Sequence, residues 1–265
     1  WKVRLTGGEP TTRKDIVEII RAVKSVSGIK QVALSTNGYR LKQLAPELKK
    51  AGLDSINISV DSLNPDQFCK ITGNSKLDEI LGGIQDVLCL GFSSIKINTV
   101  LLRQLNAQEL NQYLEWIKEL PLSVRFIELM RTGDNLKLFK EQHVSGEEVR
   151  LQLIRSGWTQ RMRRPGDGPA LEFEHPNYLG RIGIIAPYAK DFCNSCNRLR
   201  ISSQGGIRLC LFGEKDFSVR TLLQKKNQKQ ELIEEIHHLI LRKTKSHQLL
   251  EGFYGKTEHF AAIGG

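Results

Sequence analysis

Apolar and polar residues along this chain follow two periods. From Trp1 to about residue 155, short runs of strand character alternate with longer stretches of helical period. Residues 2–5, 31–34, 55–60, 95–100 and 123–128 read as strands. In the first helical stretch, Thr12 and Asp15 read as a capping-box pair. Ile16, Ile19, Ile20 and Val23 recur on one face, and Gly28 is expected to end the helix. Repeats of this kind imply parallel strands joined by crossover helices, in a doubly wound sheet or a (βα) barrel. No Gly-x-Gly-x-x-Gly follows the first strand, which favours a barrel, open or closed.

The pattern changes after Trp158. Residues 161–169 are rich in Arg, Pro and Gly, strand-like runs follow at 171–174 and 181–185, and a polar helix is expected over about 228–245. A domain boundary therefore falls between 156 and 157.

Parallel strands covered on both faces usually read as continuous Val, Ile and Leu, so polar residues within them carry information. Arg4 lies between Val3 and Leu5, Asn57 and Ser59 alternate with Ile56, Ile58 and Val60, and Lys96 and Asn98 alternate with Ile95 and Ile97. Period two places each polar set on one face. A cation there needs a counter-charge, either a bound anion or an internal salt bridge from Arg4 or Arg125 to Glu9 or Glu128. Gly7-Gly8-Glu9-Pro10 and Ser35-Thr36-Asn37-Gly38 follow strands, at the carboxyl ends where the active residues of such barrels gather.

Composition narrows the function. With 265 residues, 40% of them hydrophobic and 26% charged, the chain falls in the ordinary globular class, and no apolar run is long enough for a membrane span. A formal charge of +10 favours an anionic partner. Its basic residues are dispersed and aromatics are few, which argues against nucleic acid. Five cysteines without a disulfide framework fit a reducing, cytoplasmic setting. Cys69 and Cys89 read as inert core residues. The chain opens at Trp1 with neither Met nor leader, so a preceding segment is expected.

Cys193 and Cys196 are two residues apart and Cys210 follows, a spacing suited to a metal site with one position open. Zinc completed by His175 and an iron-sulfur cluster are both compatible with it. Arg198 and Arg200 follow at once. On a strand they would share one face and offer multidentate hydrogen bonds to a polyphosphate.

Val3-Arg4-Leu5-Thr6-Gly7-Gly8-Glu9-Pro10, Thr36-Asn37-Gly38, Asn57-Ile58-Ser59-Val60-Asp61-Ser62, Arg125-Phe126-Ile127-Glu128, Cys193-x-x-Cys196-Asn197-Arg198-Leu199-Arg200 and Cys210-Leu211-Phe212-Gly213 together resemble the bacterial GTP 3',8-cyclases. These are radical S-adenosylmethionine (SAM) lyases that open molybdenum cofactor biosynthesis. The resemblance covers essentially the whole chain. It implies an incomplete TIM-like (βα) barrel over 1–156, without its first strand and helix, and a C-terminal α+β cluster-binding domain over 157–265. By the same carry-over, Cys193, Cys196 and Cys210 bind a 4Fe-4S cluster, Gly8, Ser59 and Met130 contact SAM, and Arg4, Ser35, Lys96, Arg198, Leu199 and Arg200 bind GTP. Gly264 and Gly265 form a tail that reaches into the site. In that family a 5'-deoxyadenosyl radical takes the ribose 3' hydrogen of GTP, and the carbon radical attacks guanine C8.

Expected partners are GTP, a reductant and the downstream cyclic pyranopterin monophosphate synthase, with a homodimer left open. Two departures stand out. The family's N-terminal Cys-x3-Cys-x2-Cys, which binds a second cluster, is absent, so this chain alone is not expected to generate the radical. Ser35 stands where the family generally has Thr, which keeps the hydroxyl. The rival readings are a peptide-modifying radical SAM enzyme with an auxiliary cluster and a non-catalytic metal and nucleotide-binding module.

Overall fold

The computed structural model describes residues 1–163, 167–194, 196–213, 216–244, 246–247, 249–252 and 254. In chain order its strands and helices are β1 (Lys2–Leu5), α1 (Ile16–Lys24), β2 (Gln31–Thr36), α2 (Leu41–Lys50), β3 (Ser55–Ser59), α3 (Pro65–Thr72), α4 (Leu77–Cys89), β4 (Ser94–Leu101), α5 (Leu110–Ile117) and β5 (Ser123–Glu128). They continue with α6 (Leu136–Gln142), α7 (Gly146–Arg155), β6 (Thr159–Gln160), β7 (Leu171–Glu174), β8 (Arg181–Ile185), β9 (Arg200–Ile201), β10 (Gly206–Arg208), β11 (Phe217–Ser218) and α8 (Lys229–Leu241). The chain divides into two compact units. One holds Trp1–Leu129 and Glu141–Ala186, the other Met130–Lys140 and Pro187–Gly265.

In the first unit an eight-stranded sheet runs in the order β1-β2-β3-β4-β5-β8-β7-β6. Neighbours from β1 to β8 are parallel, and β7 and β6 complete the sheet antiparallel. The chain is therefore an α/β fold with a large, open, mostly parallel sheet. The sheet order is linear, with β1 at one edge and β6 at the other. Strands following residue 156 extend this sheet because the apolar Ile182 and Ile184 of β8 stand in register with Val124 and Phe126 of β5.

Alternation decides which face is covered. Ile56, Ile58, Ile97, Val124, Phe126, Ile182 and Ile184 are buried within one continuous core with helix residues such as Ile20, Leu48, Ile84 and Tyr113. Tyr113 meets Phe126 edge-on at 5.3 Å, and its hydroxyl donates to the Val60 carbonyl at 2.9 Å. Among the described residues, no helix is long and apolar enough to cross a membrane.

Local chemistry moves some boundaries. The expected capping box does not form: Glu9 instead caps a single 3-10 turn over Pro10–Thr12, and the Thr12 hydroxyl donates to the Glu9 carbonyl. Asp15 pairs with Arg13 across 2.8 Å, so α1 starts at Ile16 without a side-chain cap. It ends at Lys24, before Gly28, whose φ of +92° serves the turn into β2. Cys69 and Cys89 are exposed rather than core, because they fall on the outer faces of α3 and α4. The last long helix spans Lys229–Leu241, shorter at both ends than its polar pattern implied.

The second unit is small. Strands β9, β10 and β11 form an antiparallel sheet, and Ile207, Leu209, Val219 and Leu239 make its core.

Candidate functional site

The uncovered chemistry of the first unit lies on the polar face of the sheet. Register aligns Ser35 with Asn57 and Lys96, and Ser59 with Asn98 and Arg125, while Arg4 on β1 pairs with Ala33 on β2. The Asn57 amide donates to the Leu34 carbonyl at 3.2 Å and reaches the Ser35 hydroxyl at 3.4 Å, so it orients that hydroxyl. Lys2 stands two residues from Arg4 and therefore on its face.

Positive charge is concentrated here. Burial, then the charges of Arg125 and Lys2, lower the Lys96 ammonium to about 7; Glu172 opposes the shift and Arg4 adds to it. Burial, followed by Arg4 and Arg125, also holds Lys2 below its ordinary value. Arg125 is 3% exposed and meets Glu172 at 3.4 Å, but the same carboxylate is shared with Arg161 at 3.2 Å. For Arg125, neither acid considered from sequence is the partner. Glu9 accepts from Thr11, from the Thr36 hydroxyl at 2.8 Å and from the Asn37 amide at 2.6 Å, latching the β1 turn to the end of β2. Glu128 is held by His143 at 2.8 Å and by the Gly146 amide.

Three buried polar atoms on the strands beside these charges, Asn98 Oδ1, Ser123 Oγ and Arg125 Nε, have no hydrogen-bond partner among the described residues. Buried polar atoms are rarely left so; Ser123 Oγ and Arg125 Nε can donate to an anionic ligand, while Asn98 Oδ1, an acceptor, calls for a donor group on it. Sequence reading passed over Lys2 and Glu172. Period two from Arg4 could have found Lys2; Glu172 sits on a strand assigned to the other domain and carried no signal.

Beside Gly7 and Gly8, no atom lies within 4 Å of where a side chain would begin, and Gly7 has a φ of +140°. That open space can admit a ligand against the backbone. Ser59 is exposed at the end of β3. Met130 belongs to the second unit, where its carbonyl accepts from Asn135 at 2.9 Å.

In the second unit the Cys196 amide donates to the Cys193 carbonyl at 3.0 Å, closing the Cys-x-x-Cys turn. All three cysteines are partly exposed. Burial alone would raise the Cys196 thiol, but the Arg198 amide and the charges of Arg198 and Lys243 outweigh it and hold the thiol below its ordinary value. Arg200 is lowered first by burial and then by Arg198, while Cys210 and Cys196 pull the other way, so both sulfurs lie within electrostatic reach of its guanidinium. Only Arg200 is on a strand, paired with Arg208 across β9 and β10; Arg198 precedes it, so the shared strand face does not form.

Among the described residues, no three His, Cys, Asp or Glu side chains converge closely enough to hold a single metal ion. An acidified thiol beside cationic residues is nonetheless suited to thiolate ligation, and a cluster of several irons lets each thiolate take its own iron rather than share one. The donor set therefore fits an iron-sulfur cluster held by thiolates. His175, the zinc alternative, packs against Trp158 at 5.5 Å and Tyr178 at 5.1 Å, with Nδ1 accepting from the Asn177 amide. Gly264 and Gly265 lie outside the described residues.

Comparison with known proteins agrees with this chemistry. Residues 1–117 match the radical SAM superfamily model, and residues 122–249 match the molybdenum cofactor synthesis C model. The chain is 50% identical over 264 residues to the GTP 3',8-cyclase of Vibrio parahaemolyticus, covering 100% of this chain and 79% of that protein. It is 51% identical over 264 residues to that of Tolumonas auensis, again covering 100% and 79%. Among solved structures, Streptococcus suis SuiB bound to S-adenosylmethionine shares the fold, with a TM-score of 0.62 and 14% identity over 86% of this chain and 53% of that one. With half of its residues shared along its whole length, and with both domain models matched, the chain belongs to the GTP 3',8-cyclase family of the radical SAM superfamily.

Proposed function

We propose that this chain binds GTP and SAM and serves the cyclisation of GTP between the ribose 3' carbon and guanine C8, the first step of molybdenum cofactor biosynthesis, in an enzyme whose SAM-cleaving Cys-x3-Cys-x2-Cys segment is not among these 265 residues. The observation that carries the reading is the cationic face of the sheet, where burial, then Arg125, Lys2 and Arg4, against Glu172, lower the Lys96 ammonium to about 7. Glu172 and Asp167 offset part of this charge, and buried like charges held this close are further stabilised by a polyanion, which a nucleoside triphosphate supplies.

Within the sheet unit, Arg4, Ser35 and Lys96, joined by Lys2 and Arg125, are assigned to the polyphosphate. Gly8 and Ser59 are assigned to SAM, as is Met130 of the second unit. In that unit Arg198, Leu199 and Arg200 are assigned to the nucleotide, and Cys193, Cys196 and Cys210 would hold a 4Fe-4S cluster by their thiolates. When bound, SAM and iron-sulfur centres supply one-electron chemistry. The work of the chain's own residues is to hold the ribose still and keep water away from it, since orientation lowers the barrier to hydrogen transfer. Asn57 fixes the Ser35 hydroxyl, and Glu9 fixes the loop carrying Gly8.

GTP binding measured by calorimetry on anaerobically purified protein tests this reading. Affinity should fall at least tenfold in Lys96→Met and in Arg125→Met, and ATP should compete poorly. Binding of GTP that ignores both substitutions would remove the cationic face from the site.

A further inference from the structure

Helix α8 ends at Leu241, and the next two residues bring cations back toward the cysteine loop. The Arg242 guanidinium lies over the Phe217 ring at 4.9 Å, which pins the end of the helix to β11. Lys243 follows, its amide bonded to the Ile240 carbonyl. Its ammonium donates to the Arg198 carbonyl at 2.8 Å and to the Cys196 sulfur at 3.6 Å. Two acceptors from one loop fix the direction of a side chain that otherwise has several rotatable bonds.

We propose that Lys243 is a positioning residue for the iron-sulfur centre, holding its charge against the Cys196 sulfur and thereby raising the reduction potential of that centre. The physical basis is direct. Reduction adds a negative charge to a cluster and its thiolates, and a hydrogen-bonded ammonium stabilises the reduced form more than the oxidised one. The contact to the Arg198 carbonyl keeps the ammonium from swinging into water. It also ties the loop between Cys196 and Arg200 to α8, so one residue sets both the electronics of the centre and the course of the chain toward the arginines.

This inference rests on the reading of Cys193, Cys196 and Cys210 as cluster ligands, and the experiment separates the two. Full-length protein, purified and loaded anaerobically, is titrated with dithionite while its electron paramagnetic resonance is followed. The relevant signal is the one lost when all three cysteines are replaced by Ala. In Lys243→Met, iron content should stay at the wild-type level while the midpoint potential of that signal moves to more negative values. Lys243→Arg, which keeps the charge, should recover most of the shift. An unchanged potential in Lys243→Met, or an equal shift in Lys243→Arg, overturns the proposal. If Lys243→Met fails to load iron, Lys243→Gln is titrated with the same two outcomes. A wild-type protein without any such signal overturns the ligand reading itself, and this inference with it.

Discussion

The two units differ in how much of their order comes from apolar burial. In the sheet unit, Ile56, Ile58, Ile97, Val124 and Phe126 join helix residues in one large core. The second unit centres on Ile207, Leu209, Val219 and Leu239, with Leu199, Phe217, Leu232 and Ile236 partly buried around them. A core that small leaves little stability once chain entropy is met, and domains of this kind usually lean on a bound metal. A large core can tolerate what the sheet unit carries on its polar face, namely crowded cations and polar atoms with no hydrogen-bond partner among the described residues. Binding chemistry is thus tolerated in one unit by surplus stability, and in the other it becomes part of the stability.

Removing iron is the strongest way to break that comparison. Anaerobic chelation should abolish most hydrogen-exchange protection in α8 and β10, while β3, β4 and β5 keep theirs. Equal retention in both units would show that the second unit stands on its own core. A large effect of the opposite kind is expected in the sheet unit. Phe126→Ala removes a 1% exposed ring packed on Tyr113 and should cost about 3–5 kcal/mol in urea denaturation, with iron content unaffected. Leu239→Ala should cost about 2 kcal/mol and act mainly by opening the second unit locally.

The same contrast explains what the sequence made legible. Period two placed β1, β5, β7 and β8 with their observed bounds, because strands between covering helices must keep their side chains in phase. Asn57 with Ser59, and Lys96 with Asn98, could be put on one face of their own strands for the same reason, while the register that brings Ser35 and Arg125 beside them came only with the sheet. Pairings that depend on distant chain stayed hidden: Glu172 meets Arg125 across 47 positions, and Lys243 meets Cys196 across 47. The capping box failed for a local reason, since Arg13 was a nearer partner for Asp15 than the backbone of α1. In the second unit short strands and a small core leave little periodicity to read, and Arg198 was assigned to a strand that begins two residues later.

Arg198 and Arg200 sharpen the comparison next. Each charge-assisted hydrogen bond to a nucleotide lost in Arg198→Ala or Arg200→Ala should weaken GTP binding by about 1.5–3 kcal/mol, measured by calorimetry on iron-loaded protein. The sheet unit's urea transition should not move. If it does, the arginines are supporting the fold rather than the ligand.

The smallest expected effect is also the one whose sign is most telling. Lys96 is pushed down to about 7 in the folded protein, from an ordinary value of 10.5. Between those values the unfolded chain holds a proton that the folded chain lacks, so this residue's contribution to stability rises with pH across that window. Below 7 both states are protonated and the cost of burying the charge is felt in full. Lys96→Met should therefore stabilise the ligand-free protein by about 1 kcal/mol at pH 6.5, and by less at pH 9. A triphosphate reverses the balance by restoring the proton, so GTP binding at pH 8 should take up a proton and weaken as pH climbs from 7 to 9. Calorimetry in two buffers of different ionisation enthalpy reads that uptake directly. Proton uptake that survives in Lys96→Met would place the titrating group elsewhere, and a destabilised Lys96→Met would mean that the sheet's polar face is built for the fold and not for the anion.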